Sequence, residues 1–413
     1  MEFIQIVIYA SIYLGLVATV FYVLSYNADK KRNKPFFKDS ELSFVTVIIP
    51  AYNEENSIAK TIESIKNADY PKNKYEVFVV DDGSKDNTFK IAKKYQSKLV
   101  KVFHKENGGK ASALNYGIKK SKGEFVFSMD ADTFADPKSM KLMIRYFKNP
   151  KVMAVTPAML IHRPKSILQR IQHVEFLLGL FLRKTFAALN AVYITPGAFS
   201  VYRKTFFDKY GGYDEDNITE DLELSIRIQS EGYQVENCPE APVYTIAPSK
   251  FKELLIQRRR WYFGLIKNLI KYKQVISTKY GDLGTFVIPI SLISMFFAVF
   301  ITAYLFFKTI LNVQKELLFY KSIDFGFSGI FNLNLHVIER TAFLFLTNPT
   351  VLFILFFVAI LGFYISYASK KVGGFKRLFF DLPLFFLFFA ILFGFWWIVS
   401  LFYLIFVGKI SWR

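Results

Sequence analysis

Apolar residues are concentrated at the two ends of the chain, whereas the long middle section alternates between apolar and polar positions. Residues 3–24 form a nearly unbroken apolar run, close to the ~20 residues that a helix needs to cross a bilayer. Apolar runs that can also span lie at residues 286–307, 351–366 and 379–407. The last run is longer than one crossing needs, so we expect it to tilt or break, and Pro289 predicts a kink early in the second run.

Basic residues beside these runs indicate their orientation. Lys30, Lys31 and Arg32 follow the first run, which lacks the basic start and small-residue cleavage site of a signal peptide. By the positive-inside rule, the middle section is expected in the cytoplasm, and the basic cluster in residues 370–377 on the same side. One N-terminal and three C-terminal crossings would then leave both termini outside. The apolar but interrupted segment 325–346 is predicted to be interfacial or re-entrant.

The middle section has the alternation of strands and helices that is typical of an α/β domain. Short β-branched runs predict strands at residues 45–50, 77–80 and 125–129, and helical periodicity predicts helices at residues 57–67 and 87–96. Asn87 is the expected N-cap of the second helix. We therefore predict a Rossmann-like, mainly parallel sheet, with ligand-binding groups at the carboxyl ends of its strands.

Two further helices in this section are amphipathic and are predicted at about residues 166–183 and 250–273. Each can be a surface helix packed on the core, or a helix at the membrane interface that ties the domain to the bilayer. The resulting division is an N-terminal membrane helix over residues 1–27, a globular domain over residues 28–283, and a membrane region over residues 284–413 with about three spans.

Composition agrees with this division. The 413 residues are 52% hydrophobic and 18% aromatic, which soluble domains rarely combine. The formal charge of +19 comes from basic residues beside apolar segments, so it indicates anionic lipid or phosphate rather than nucleic acid. A single cysteine, Cys238, excludes an internal disulfide framework and a cysteine-rich zinc site.

Acidic residues follow the predicted strands. Glu54 comes after the first strand, in a turn that resembles any strand-to-helix turn, and Asp82 comes after the second, where it could instead cap the following helix. Asp130 and Asp132 follow the third strand, and carboxylates two residues apart in an extended segment point the same way and can hold a divalent cation that binds a diphosphate.

Two later segments add candidate chemistry. Glu220 and Asp221 begin a predicted helix, where acids are also favoured by the helix dipole, but Asp221 could act as a general base on an attacking hydroxyl. The sequence Gln257-Arg258-Arg259-Arg260-Trp261 lies on the second amphipathic helix. At least one guanidinium there can face a diphosphate, and Trp261 offers a flat face to a sugar ring, although a basic cluster alone more often anchors a helix at the interface.

Taken together, these residues resemble the membrane-bound, inverting family 2 glycosyltransferases, which include the synthases of poly-N-acetylglucosamine, hyaluronan, chitin and cellulose. The pattern is an Asp, then D-x-D, then Asp, then Q-x-x-R-W, and here 35 residues (222–256) separate Asp221 from Gln257. The resemblance covers about residues 45–272 and implies a GT-A domain. The loop 107–115 resembles the donor-site loop of these enzymes, whereas Pro196 departs from their small-residue turn near the acceptor.

The resemblance implies a role for each candidate. The donor nucleotide sugar would contact Ala51, Tyr52, Glu54, Asp82, Lys110, Asp130 and Arg260. Asp132, together with Asp130, would bind Mg²⁺ or Mn²⁺, and Asp221 would be the catalytic base. The acceptor or the diphosphate would contact Gln257, Arg258, Trp261 and Glu220.

Three functions remain open from the sequence. The first is transfer from a nucleotide sugar, with UDP the usual nucleotide, to a growing polysaccharide at the cytoplasmic membrane face. The second is single addition to a lipid or polyprenyl-linked acceptor. The third is a non-catalytic membrane scaffold, which the complete set of acidic residues and the Q-x-x-R-W sequence disfavour. Partners would be the donor, the acceptor and membrane lipid, without nucleic acid.

Overall fold

The structure is a computed structural model that describes residues 3–29, 41–322, 339, 343, 347–372 and 378–408. Its globular part is built on an eight-stranded sheet with the order β3-β2-β1-β4-β7-β6-β8-β5. The strands are β1 Val45–Ala51, β2 Tyr75–Asp81, β3 Val100–His104, β4 Phe125–Ser128, β5 Thr133–Ala135, β6 Val152–Ile161, β7 Ser200–Arg203 and β8 Gln234–Thr245.

The sheet has a parallel half and a mixed half. Strands β3, β2, β1 and β4 pair in parallel, and β1 and β2 are buried along their whole length. Continuous apolar runs suit such strands because helices cover both of their faces. Strand β7 is antiparallel to β4 and β6, and β5 is antiparallel to β8. Strand β8 is parallel to β6, so every strand of the sheet except β7 and β5 runs in the same direction. The predicted α/β class with a mainly parallel sheet is confirmed.

Helices cover both faces of the sheet. The shorter ones are α2 Ile58–Lys66, α3 Thr88–Lys93, α4 Lys110–Lys120, α5 Ser139–Ile144, α7 Lys204–Tyr210 and α8 Glu220–Ser230. Helix α2 buries Ile58, Thr61, Ile62 and Ile65, the spacing expected of one helix face. Asn87 precedes α3 as predicted, but its side chain makes no capping bond and instead donates to the Glu55 carboxylate at 3.0 Å.

Two long helices separate this domain from the membrane helices. They are α6 Ile167–Ala188, which starts with a Ser166–Gln169 capping box, and α9 Phe251–Lys271. Both pack against the last helix of the chain, and α6 also packs against the first. The interfacial alternative for these two helices agrees with this arrangement.

Among the described residues, four helices are long and apolar enough to cross a membrane. They are α1 Phe3–Asp29, α10 Ile288–Ser322, α11 Pro349–Val372 and α12 Leu378–Phe406. A π-helical turn, Leu283–Val287, leads into α10, and Pro289 lies in the first turn, where a missing amide donor is tolerated. Helix α12 continues through Pro383 without a break. The predicted re-entrant segment lies outside the described residues, apart from positions 339 and 343.

Candidate active site

A cavity of about 760 Å³ opens at the carboxyl ends of β1, β2 and β4 and continues between α6 and α9. It brings together most of the residues that the sequence singled out. The predicted residues on its wall are Ala51, Tyr52, Glu54, Asp82, Lys110, Asp130, Asp132, Asp221, Gln257, Arg260 and Trp261. Glu220 and Arg258 are not on the wall.

The turns after β1 and β2 hold each other in place. Asn53 has a left-handed backbone with φ of 55°, and its side-chain oxygen accepts from the Lys85 amide at 2.8 Å. The Asn53 amide donates to the Ser84 hydroxyl at 3.0 Å, and the Glu54 amide donates to the Thr88 hydroxyl at 2.6 Å. Tyr52 and Glu54 are therefore presented to the cavity by two interlocked loops.

Asp82 organises the glycine-rich loop that precedes α4. Its carboxylate accepts from the amides of Gly108 at 3.1 Å and Gly109 at 2.7 Å, and pairs with Lys105 at 2.7 Å. Gly109 has a φ of 88°, a conformation that costs glycine little. Because the loop ends at Gly109, α4 begins with Lys110 directed into the cavity.

Lys110 joins two carboxylates. Its ammonium lies 2.6 Å from Asp130 and 3.1 Å from Glu220. Burial alone would lower the pKa of Lys110, but Asp130, Glu220 and Asp221 together raise it, so this lysine is positively charged. Glu220 is buried behind Lys110 instead of lining the cavity, which differs from its predicted contact with acceptor or diphosphate.

Asp132 carries unbalanced negative charge. Burial, together with the neighbouring carboxylates of Asp130 and Glu54, raises its pKa to about 7 against a smaller opposing effect of Lys110. Carboxylates in this situation either take up a proton or bind a cation. In the described part of the chain, no three His, Cys, Asp or Glu side chains are grouped as a complete metal site. The paired carboxylates of Asp130 and Asp132 fit a divalent cation, which prefers oxygen ligands.

Asp221 lies in the first turn of α8, at the edge of the cavity. Its Oδ1 accepts from the Leu222 amide at 2.8 Å, and its backbone carbonyl accepts from the Thr195 hydroxyl at 2.7 Å. A Cβ added to Gly197 would lie 3.1 Å from Asp221 Oδ2 and 2.6 Å from Lys110 Nζ. Burial and, to a smaller extent, the neighbouring Glu220 raise the pKa of Asp221 to about 6. A carboxylate with this pKa can accept a proton near neutral pH.

The three consecutive arginines of α9 point in different directions. Arg260 lines the cavity beside Gln257 and Trp261. Arg259 lies over the Tyr403 ring of α12, 4.3 Å from its centroid. Arg258 is 2% exposed and pairs with Glu175 of α6 at 2.7 Å, so the predicted contact of Arg258 with acceptor or diphosphate does not fit its position. Successive helical residues are about 100° apart, which is why only one of the three reaches the cavity.

The part of the cavity wall that α6 contributes was not predicted from the sequence. Gln172, Phe176 and Arg183 line the cavity, and with Gly179 they form a stripe at positions i, i+4, i+7 and i+11. Such a stripe forms one helix face. A glutamine and an arginine on an otherwise apolar face were the signal that could have identified it.

Comparison with known proteins agrees with this architecture. The profile of Glycosyl transferase family 2 matches residues 46–211. Among solved structures, a mannosyltransferase from Pyrobaculum calidifontis, in complex with GDP-mannose and Mn²⁺, superimposes with a TM-score of 0.57 at 20% identity, over 90% of this chain and 99% of that one. The fold is therefore that of the GT-A glycosyltransferases.

Curated relatives define the family more closely. A poly-β-1,6-N-acetyl-D-glucosamine synthase of Staphylococcus epidermidis is 30% identical over 335 residues, or 78% of each chain. The corresponding synthase of Staphylococcus aureus is 33% identical over 262 residues, which are 62% of this chain and 63% of that enzyme. This chain belongs to glycosyltransferase family 2, and the four described helices that are long and apolar enough to cross a membrane suggest a membrane protein.

Proposed function

We propose that this protein is an inverting glycosyltransferase that transfers N-acetylglucosamine from UDP-N-acetylglucosamine to a growing polysaccharide at the cytoplasmic face of the membrane. The observation that carries the proposal is the meeting of Lys110, Asp130 and Asp221 around Gly197, in a cavity that Gln257, Arg260 and Trp261 also line. The names of the staphylococcal relatives support the choice of sugar and polymer.

The donor is proposed to occupy the part of the cavity at the strand ends. Ala51, Tyr52, Glu54 and Asp82 would surround the nucleoside, with Asp82 also fixing the glycine-rich loop. Asp130 and Asp132 would hold Mg²⁺ or Mn²⁺ together with the diphosphate. Such an ion supplies electrostatic stabilisation of the charge that develops on the leaving group. Lys110 and Arg260 add fixed positive charge on the same wall.

Asp221 is proposed to act as the base. Its Oδ2 takes the proton of the acceptor hydroxyl while that oxygen forms a bond to the anomeric carbon of the donor sugar. The bond between this carbon and the diphosphate oxygen breaks, and UDP leaves with the electron pair. Attack from the face opposite the leaving group inverts the anomeric configuration. Trp261 would support the acceptor sugar ring at the start of the slot between α6 and α9.

The test is a product assay with purified protein in detergent, UDP-N-acetylglucosamine and Mn²⁺ or Mg²⁺. We expect UDP release together with a ladder of β-linked oligomers. A single added sugar would support transfer to one lipid-linked acceptor instead of polymer synthesis. The Asp221→Asn variant should bind UDP but release none from the donor. Turnover of that variant at the wild-type rate would remove Asp221 from the base role.

A further inference from the structure

Arg183 lies on α6, near the end of this helix that adjoins the membrane helices. Two residues before it, Phe181 stacks on Tyr26 of α1 with ring centroids 4.8 Å apart. Three residues after it, Phe186 meets Tyr22 of α1 edge-on at 5.4 Å. Arg183 itself lines the cavity. It therefore belongs to the membrane end of the cavity, on a different element from the strand ends that would receive the nucleoside.

The Arg183 guanidinium has no carboxylate partner within the described part of the chain. Its Nε and Nη2 are buried and have no hydrogen-bond partner there. Burial lowers the pKa of Arg183 to about 10, so the group still carries its charge at neutral pH. Leaving a buried charged group unpaired costs more free energy than leaving a neutral one, so a site that retains such a group is suited to a ligand.

Three other cations near the cavity have carboxylate partners. Lys110 pairs with Asp130 and Glu220, Lys105 with Asp82, and Arg258 with Glu175. On the same stripe as Arg183, the Oε1 of Gln172 is also buried without a partner in the described structure. The α6 wall thus offers one unsatisfied acceptor and several unsatisfied donors to whatever enters the slot between α6 and α9.

We infer that Arg183 binds an anionic group carried by the acceptor, either a phosphate or a carboxylate. This inference rests on the proposed function and specifies its acceptor. A planar guanidinium with parallel N–H donors matches the paired oxygens of both groups. Absence of a side chain at Gly179 leaves room for it, since a Cβ there would be 3.4 Å from Arg183 Nη1. A phosphate would come from a lipid-linked acceptor, and a carboxylate from an acidic sugar unit.

The experiment measures binding by titration calorimetry of the full chain in neutral detergent. One pair of probes is farnesyl phosphate and farnesol. The other pair is an N-acetylglucosamine oligomer with and without a terminal glucuronate. Wild type, Arg183→Met and Arg183→Lys are compared, with Lys184→Met as the matched loss of one charge on the same helix.

We expect the wild type to bind the charged member of one pair at least tenfold more tightly than its neutral counterpart. Arg183→Met should lose that preference, Arg183→Lys should keep part of it, and Lys184→Met should keep all of it. A preference within the farnesyl pair identifies phosphate on a lipid, and a preference within the sugar pair identifies an acidic acceptor. Equal affinities within both pairs would overturn the inference.

A second readout separates Arg183 from the donor site. Titration with UDP should give the same affinity, within about twofold, for Arg183→Met and wild type. A tenfold loss of UDP affinity would assign Arg183 to the donor diphosphate and overturn the inference. If wild type transfers sugar from no nucleotide sugar but prefers a charged probe, the proposed function fails while the anion site stands.

Discussion

The guanidinium of Arg258 on α9 lies 2.7 Å from the carboxylate of Glu175 on α6, so an ion pair joins the two helices that border the cavity. The same guanidinium stacks on Trp261, 4.3 Å from the ring. Because Arg258 is anchored in this way, the rotation of α9 about its axis is fixed. That rotation places Gln257, Arg260 and Trp261 on the cavity side.

Breaking this pair on one side is predicted to destabilise the protein and impair catalysis. In Arg258→Met, Glu175 remains in a setting where burial already raises its pKa. Removing one partner of a buried pair costs about 3 kcal/mol or more, whereas replacing both with apolar groups is often tolerated. We expect a lower unfolding temperature and slower UDP release in Arg258→Met, with partial recovery in Glu175→Met/Arg258→Met.

The matched control is Lys252→Met, which removes an exposed charge from the first turn of α9. It should unfold at the wild-type temperature, measured by tryptophan fluorescence in detergent. A double variant no more stable than Arg258→Met would contradict the view that the unpaired Glu175 causes the damage.

Much of the fold could be predicted because its signals are local. Strands β1, β2 and β4 correspond to short apolar runs in the sequence, and the four apolar helices correspond to long ones. The two reversed strands were not predicted: β7 lies between β4 and β6 and is antiparallel to both, and β5 is antiparallel to β8. Such pairing depends on long-range packing, and the apolar pattern of each strand does not specify it.

The residues of the candidate site also differ in whether local sequence could predict their positions. Residues at strand ends, such as Asp130 and Asp132, were predictable because parallel strands deliver their carboxyl ends to one edge. The directions of Arg258 and Glu220 were not, because each is decided by a partner distant in sequence, Glu175 and Lys110. Arg183 was missed because the only sequence signal was a glutamine and an arginine on an otherwise apolar helix face. That pattern does not by itself show that the face borders a cavity.

The pH dependence of transfer is predicted to follow Asp221. The pKa of this carboxyl is raised to about 6, mainly by burial, and only the ionised form can accept the acceptor proton. The rate at low substrate concentration should therefore rise with pH through about 6 and be about tenfold lower at pH 5 than at its plateau. A profile that is flat from pH 5 to 8 would contradict this assignment.

Asp221→Asn is predicted to be more stable than wild type at pH 8. The folded-state pKa of Asp221 lies above the ordinary aspartate value of 3.8, so its favourable contribution is complete below 3.8 and is lost as pH rises through about 6. At pH 8 the ionised carboxylate opposes folding, and a neutral amide removes that effect. Thermal unfolding at pH 8 and pH 4 measures the difference, which should shrink at the lower pH. A stable but inactive variant would show that loss of activity is not loss of folding.

Gly197→Ala is predicted to reduce turnover strongly with little loss of stability. The new methyl group would lie 2.6 Å from Lys110 Nζ and 3.1 Å from Asp221 Oδ2. Lys110 would have to give up its position between Asp130 and Glu220, or the turn would have to move. We expect at least a tenfold fall in the rate of UDP release, with an unfolding temperature within a few degrees of wild type. Wild-type turnover would mean that the site is wider than its geometry indicates.

Removal of divalent cations is predicted to abolish transfer. EDTA should stop UDP release, and Mn²⁺ or Mg²⁺ should restore it. Asp132→Asn should need more metal for half-maximal rate, because it removes a carboxylate proposed to hold the ion and with it part of the negative charge that attracts a cation. Metal-independent release at the full rate would leave Lys110 and Arg260 as the only stabilisers of the leaving group and contradict the proposed role of Asp132.

Gly264→Ala is predicted to disturb the position of α9 relative to Asp221, the proposed base. Gly264 lies against Thr219, where an added Cβ would overlap the threonine side chain, and the nearby Asn268 amide donates to the Thr219 hydroxyl at 3.0 Å. Since Thr219 directly precedes α8, this contact sets the distance between Asp221 and Gln257. Overpacking of this kind costs about 1–3 kcal/mol and shifts backbone. We expect lower stability and lower turnover together, and Gly362→Ala, whose new methyl would be 3.7 Å from its nearest neighbour, should change neither. Full activity in Gly264→Ala would show that α9 can move away from α8 without disturbing catalysis.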